Sequence, residues 1–299
     1  MSRGLAARRW SAYYFIGDRA ASEQSTEKRG AMSLQLGYST LFWREPDLVA
    51  GLAELKQAGW DGWEGRAPLD WLGTPKRLRQ ICDDTGMPLA VYTASGSPDQ
   101  RDWAHVERNK RRMDFAAEMG ASCFMFMSGP KPEGREPTED DLKAAAEGAE
   151  AWAEYAAEYD QELSYHIHTN TLVDSIADWK RYMNLLDRTK LCIDVSHAAL
   201  WGYDAAQAIT DFWPQLNYVH LQDYSSCTQR EPGRYNPVWV DVGQAECLDF
   251  AGVLETLAQG GFGGWVTACP GAVPAGEEDA VSQARRSAGV RAYLRDLGY

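Results

Sequence analysis

Histidine is scarce in this chain, and its placement is informative. Of five histidines in 299 residues, His166, His168 and His220 lie within or at the end of short apolar runs, and His197 follows the run LCIDV at once. Glu64, Asp194, Asp223 and Cys269 occupy the same kind of position. His166 and His168 are two residues apart, which on a strand places both side chains on one side. A carboxylate such as Asp194 at the end of an apolar run is costly to bury without a partner. Imidazole nitrogens and carboxylate oxygens from neighbouring strands suit Mn²⁺, Zn²⁺, Co²⁺ or Fe²⁺. A lone histidine at a strand end is ordinarily a hydrogen-bonded polar residue, and His105, on a polar helix, is read that way. Ionisable groups at five strand ends, in register, point instead to a metal or catalytic centre.

Positioning such groups needs a repeating frame, and the sequence has one. From Leu34 onward, amphipathic and often alanine-rich segments end in Gly, Asp or a proline turn, and a β-branched or aromatic run follows each. Strands are expected near Leu34, Gly62, Pro88, Ser122, Glu162, Lys190, Asn217 and Gly264. Helices are expected over Pro46–Ala58, Pro75–Thr85, Trp103–Met119, Thr138–Tyr159, Val173–Leu186, Leu248–Ala258 and Glu278–Leu297. Alternating helix and strand implies parallel strands joined by helical crossovers. The fold class predicted is therefore α/β, a single (β/α)8 TIM barrel, whose usual size is roughly 250 residues. A doubly wound sheet would carry a Gly-rich phosphate loop after its first strand, and LGYSTLFW is not one. The strand C-terminal ends of a barrel converge on one mouth, where sites form. After the seventh strand, Ser225–Cys247 lacks helical periodicity and contains Tyr235, Trp239 and Val240, which predicts a long lid loop. The Ser128–Pro137 loop leaves the same face.

Composition narrows the function classes. The chain is 44% hydrophobic and carries a formal charge of −13, values of a globular protein that repels nucleic acid and anionic membranes. No apolar run reaches the roughly 20 residues of a membrane span. Six cysteines show neither CxxC nor a disulfide framework, which points to a reduced, cytoplasmic protein, with Cys82, Cys123 and Cys192 in apolar surroundings. Residues 1–31, arginine-bearing and then polar, are expected to form a disordered extension, with 32–299 as the barrel. A mis-assigned start would look the same.

The motifs IDVSH (Ile193–His197), VHLQD (Val219–Asp223), VDVGQA in the long loop and the closing GFGGWV resemble those of xylose isomerase-like sugar isomerase/epimerase barrels. HIHTNT (His166–Thr171) is closer to their inosose dehydratase branch. The resemblance covers the chain from about Leu34 to its end. It implies one divalent metal, Mn or Co first and Zn or Fe next, with ligands from strands five to eight. Asp194 and His220 match ligand positions, and His166 falls where most members have a ligand glutamate. His168 and His197 match substrate-facing histidines, and Glu64 an acidic or polar substrate contact. The last ligand of the family, a glutamate that doubles as a base in the epimerases, is Cys269 here. A thiolate can ligate a soft metal. The alternatives are a three-ligand site with Cys269 as bystander, or a lost metal.

The expected activity is that of a metal-dependent lyase or isomerase acting on a sugar, polyol or keto-sugar by proton abstraction beside a carbonyl. His168 or His197 would be base or acid and Glu64 a hydroxyl or proton partner. Trp43, Asp223 and Trp239 are candidate substrate contacts, and Trp201 a further candidate wall. Absence of paired glutamates favours dehydration or β-elimination over two-base epimerisation. One rival is an isomerase or epimerase in which Cys269 or Glu246 supplies the base. Another is a non-catalytic sugar-binding or partner subunit with a degenerate site. The endonuclease branch of the same barrels needs more ligands and a basic groove. Pairing of barrels into a homo-oligomer is compatible with the sequence, which does not decide it.

Overall fold

A computed structural model of the chain describes residues 33–44, 47–231 and 234–299. The expected N-terminal extension and the predicted start of the first helix at Pro46 lie outside the described residues. The strands are β1 (Gln35–Ser39), β2 (Gly62–Gly65), β3 (Leu89–Thr93), β4 (Cys123–Met127), β5 (Glu162–His166), β6 (Lys190–Asp194), β7 (Leu216–Leu221), β8 (Asp223–Glu231), β9 (Arg234–Val240) and β10 (Trp265–Ala268). The helices are α1 (Leu48–Ala58), α2 (Leu69–Leu72), α3 (Pro75–Thr85), α4 (Trp103–Met119), α5 (Glu139–Ala157), α6 (Ile176–Leu185), α7 (Val195–Leu200), α8 (Ala205–Asp211), α9 (Phe250–Gly260) and α10 (Ala280–Asp296).

Strands β1 to β7 and β10 form a closed barrel in the order β1-β10-β7-β6-β5-β4-β3-β2, every pairing parallel. The single (β/α)8 barrel expected from the alternation is what the chain folds into. The segment read as an aperiodic loop after β7 is instead largely an antiparallel hairpin, β8 on β9.

Local chemistry explains the helix boundaries. Thr74 caps α3 by accepting from the Arg77 N–H, with Pro75 in the first turn, and Gly86 ends it in the left-handed region. Asp102 caps α4, which ends at Gly120, also left-handed. A β-carbon is strained in that conformation, so glycine is the residue that ends both helices cleanly. Thr138 and Asp141 form a reciprocal capping box at the start of α5.

Alternation along the strands sorts side chains into two layers. Phe124, Phe126, Tyr165, Ile193 and Val219 point outward and pack under the helices. Val91, Cys123, Met125, Cys192 and Tyr218 belong to a separate, smaller cluster on the inward face. The same inward face of β5, β6 and β7 carries His166, Asp194 and His220, each one strand step nearer the C-terminal end. Among the described residues no helix is long and apolar enough to cross a membrane.

Candidate active site

The C-terminal ends of five barrel strands bring Glu64, His166, Asp194, His220 and Cys269 into one buried shell, each no more than 2% exposed. Asp194 holds its place as the cap of α7: its Oδ1 accepts from the Ser196 amide at 2.9 Å, the Ser196 hydroxyl at 2.6 Å and the His197 amide at 3.3 Å. That leaves Oδ2 facing the cluster, 3.5 Å from His166 Nε2 and 3.8 Å from His220 Nδ1. Cys269 Sγ lies 3.5 Å from His220 Nδ1. Donor atoms of Asp194, His220 and Cys269 fall within 4.8 Å of one another, as do those of His166, Cys192 and His220.

The far side of His220 is anchored. Its Nε2 donates to Glu64 Oε2 at 2.6 Å, and Tyr218 Oη donates to the same oxygen at 2.7 Å. Glu64 Oε1 accepts from Ser39 Oγ and from Arg66 Nε, both at 2.6 Å. Burial alone would raise the Glu64 carboxyl, but Arg66 and His220 overrule it and hold it well below the usual carboxylate range. The sequence casts Glu64 as a hydroxyl or proton partner of substrate. The structure gives it four donors and a fixed negative charge, the setting of an anchor that orients His220.

Asp194 is likewise kept ionised, with His197, His166 and His220 outweighing its burial. Burial, opposed by Asp194, pushes the His166 imidazole down to about 3. Burial and the neighbouring His197 push His168 down to about 3, and burial brings His197 to about 4. His220 moves the other way. Burial would lower it, but Cys269 and Glu64 push it up to about 10. Among the described residues, neither ring nitrogen of His166 has a hydrogen-bond partner, and Nε2 of His197 has none. A buried imidazole such as that of His166, without partners beside a carboxylate and a thiol, is what a metal-binding site requires of a ligand. The residues present therefore fit a divalent ion.

His168 lies just past the end of β5, half-buried, rather than within the strand. Its ring centroid lies 4.0 Å from that of His197, the two planes tilted by 43°. Thr169 touches both histidines with opposite groups. Its carbonyl oxygen accepts from His168 Nδ1 at 2.6 Å, while its amide (3.3 Å) and hydroxyl (3.1 Å) face His197 Nδ1. An amide can only donate, so His197 Nδ1 is an acceptor and its proton sits on Nε2. A carbonyl can only accept, so His168 carries its proton on Nδ1 and leaves Nε2 bare.

The candidate substrate contacts separate. Trp239, on β9, sits 5.4 Å from the His197 ring, and the hairpin is tied down where the Asn170 side chain bonds the Tyr235 amide and carbonyl, both at 2.9 Å. Asp223 is not free to meet substrate. Its oxygens accept from the amides of Tyr224, Gly243 and Ala245, closing the base of the hairpin. Trp43 is buried and lines a crevice with Leu48, Trp63, Ala67 and Trp71. Trp201 bonds Asp174 and packs on Trp179, and Glu246 is exposed.

Sequence reasoning did not single out Ser39, Arg66, Thr169 or Tyr218. A signal existed for two of them: Tyr218 is two before His220 and Arg66 two after Glu64, the strand period. Thr169 and Ser39 gave none.

The sequence profile of the xylose isomerase-like TIM barrel matches residues 52–290. An inosose dehydratase of Lacticaseibacillus casei is 23% identical, over 79% of this chain and 89% of its own. A rhizopine catabolism protein of Rhizobium meliloti is 24% identical, over 80% and 82%. The apo crystal structure of a 3-keto-D-glucoside 4-epimerase from E. coli superposes with a TM-score of 0.67 at 20% identity, covering 88% of this chain and all of that one. The chain belongs to the xylose isomerase-like TIM barrel family.

Proposed function

We propose that the protein is a metal-dependent lyase that removes water from a keto-sugar or keto-polyol. The observation that carries this reading is the pair of neutral histidines that Thr169 sets in opposite tautomers beside the buried donor cluster. His166, Asp194 and His220 would hold a divalent ion, with Cys269 at the fourth corner. Bound there, such an ion supplies Lewis acidity toward a substrate carbonyl and its neighbouring hydroxyl.

The proton chemistry belongs to the histidines. His168 Nε2, bare and unprotonated, takes the proton from the carbon next to the carbonyl. Its depressed pKa keeps it unprotonated beforehand, and negative charge gathering on the substrate raises its basicity during the step. His197 remains neutral throughout. Its Nε2–H donates to the oxygen on which charge develops, because losing that proton outright would leave an imidazolate. The His168 imidazolium then returns its proton to the departing hydroxyl, and water leaves as the carbon–carbon double bond forms. One base serves both transfers, so the hydrogen and hydroxyl depart from the same face of the substrate. Trp239 covers His197 and helps keep bulk water from the pair.

The L. casei inosose dehydratase, similar over most of both chains, supports elimination. Epimerisation needs a second base across the substrate, and the position where the family's glutamate serves is Cys269. The test is incubation of the metal-loaded enzyme with keto-inositols and keto-sugars in D2O, followed by NMR. An unsaturated ketone, formed with syn stereochemistry, is the expected product. Deuterium exchange beside the carbonyl without elimination would replace this reading with isomerisation.

A further inference from the structure

The mouth of the barrel contains more sulfur than an oxygen-seeking ion would want. Around His220 two thiols lie within reach of imidazole nitrogens: Cys269 in one set with Asp194, and Cys192, one strand step below Asp194, in the other with His166. All of these groups are buried, Cys192 completely and Cys269 to 2%. Among the described residues one carboxylate, Asp194, faces the cluster with an uncommitted oxygen, because Glu64 is spent on Ser39, Arg66, Tyr218 and His220. Of that one carboxylate, Oδ1 is already spent on the start of α7. The available set is therefore two imidazole nitrogens, one carboxylate oxygen and a thiol.

Mg²⁺ and Mn²⁺ prefer octahedral shells of oxygen, with several waters kept. A buried set with a single oxygen and a sulfur is poorly matched to them. Zn²⁺ and Co²⁺ accept mixed nitrogen, sulfur and oxygen ligands in four-coordinate geometry, and both stand above Mn²⁺ in intrinsic affinity for such donors. We infer that Cys269 is a thiolate ligand that makes this a Zn²⁺ or Co²⁺ site and turns it away from Mn²⁺ and Mg²⁺. The inference rests on the metal-binding part of the function proposed above and names the class of ion. Cys269 is the choice over Cys192 because it shares its set with the one free carboxylate oxygen, so ion, carboxylate and thiolate neutralise one another.

The test begins with apo full-length protein titrated with Co²⁺. A sulfur-to-cobalt charge-transfer band in the near ultraviolet is expected in wild type and in Cys192→Ser, and is expected to be lost in Cys269→Ser. X-ray absorption of the zinc-loaded wild type needs no variant and should show a sulfur neighbour at about 2.3 Å. Dialysis against an equimolar mixture of Mg²⁺, Mn²⁺, Co²⁺ and Zn²⁺ should leave Zn²⁺ and Co²⁺ in at least about tenfold excess over Mn²⁺. A shell of nitrogen and oxygen alone, or preferential Mn²⁺ uptake, would overturn the inference while leaving the lyase reading intact. A band that survives in Cys269→Ser and vanishes in Cys192→Ser would also overturn it, by moving the ligand to the lower thiol. A sulfur-bound ion in a protein that transforms no keto-sugar would leave this inference standing and sink the lyase. Uptake of none of the four ions would sink both.

Discussion

The two ends of the barrel treat charge in opposite ways. At the N-terminal end, Glu162 is exposed and Lys190 half-buried, and the polar chemistry is a chain in which Ser164 Oγ donates to Asn217 Oδ1 at 2.8 Å and Asn217 Nδ2 to Glu162 at 2.9 Å. Ser122, Glu162, Lys190, Trp213 and Asn217 line an open cavity of about 390 Å³ there. At the C-terminal end, Glu64, Asp194, His166 and His220 are withdrawn from water into one shell. Burying charge is expensive unless it is paired, and the shell is paired only in part. Polar residues at strand ends occur at both rims, so their presence alone marks no site. What marks one is charge held out of water while nearby imidazole nitrogens go without partners.

The contrast can be broken at either end. The largest effect is expected from His168→Gln, which removes the base while sparing the donor shell. Turnover should fall by about a hundred- to ten-thousand-fold, with metal content and melting temperature close to wild type. A variant that keeps full activity would take His168 out of the chemistry.

Acid should come next, and its sign follows from the histidines. His166, His168 and His197 have folded pKa values of about 3, 3 and 4, below the roughly 6.5 of an unfolded chain. The unfolded state therefore binds more protons as the pH drops below about 6.5, and stability falls through that window toward pH 3 to 4. Each histidine contributes up to about 1.4 kcal/mol per pH unit. His220 has the opposite sign: raised to about 10, it stabilises the metal-free protein below pH 6.5 and loses that contribution as the pH climbs toward 10. Urea unfolding of the metal-free protein from pH 7 to 4 checks the first slope, and from pH 7 to 10 the second. Stability that is flat between pH 6.5 and 5 would contradict the buried neutral imidazoles.

Glu64→Gln keeps the shape but removes the charge that anchors His220. Metal affinity should fall about 10- to 100-fold by calorimetric titration. An unchanged affinity would mean that Glu64 serves Arg66 alone. The smallest effect belongs to the opposite rim. Asn217→Ala cuts the Ser164–Asn217–Glu162 chain and should cost about 1 kcal/mol of stability with turnover unchanged. A large activity loss there would erase the distinction between the two ends.

Much of the frame was legible because its signals are local. The boundaries of α3 and α4 are written in Thr74, Pro75, Gly86, Asp102 and Gly120, and the strands between helices in their β-branched and aromatic runs. The ionisable residues of the mouth were visible for a related reason, since strand ends of a closed parallel barrel must converge. Short elements were not. With six and seven residues, α7 and α8 are too brief to show a helical period, and the mostly polar β8 lacks the alternation that would announce a strand. Side-chain networks were hidden for another reason. Tyr218 reaches Glu64 across 154 residues of sequence, and Thr169 matters only because folding sets it between two histidines. Trp43 was hidden in the same way: an aromatic near a strand end reads as a sugar wall, and only the fold shows it buried among Leu48, Trp63, Ala67 and Trp71.

In the proposed function, the buried shell at the C-terminal rim holds a metal through His220. Elemental mass spectrometry of the purified wild type and of His220→Ala decides this. About one thiophilic divalent ion per chain is expected in the wild type, and its loss in the variant. No ion in either protein, even after reconstitution, would contradict it.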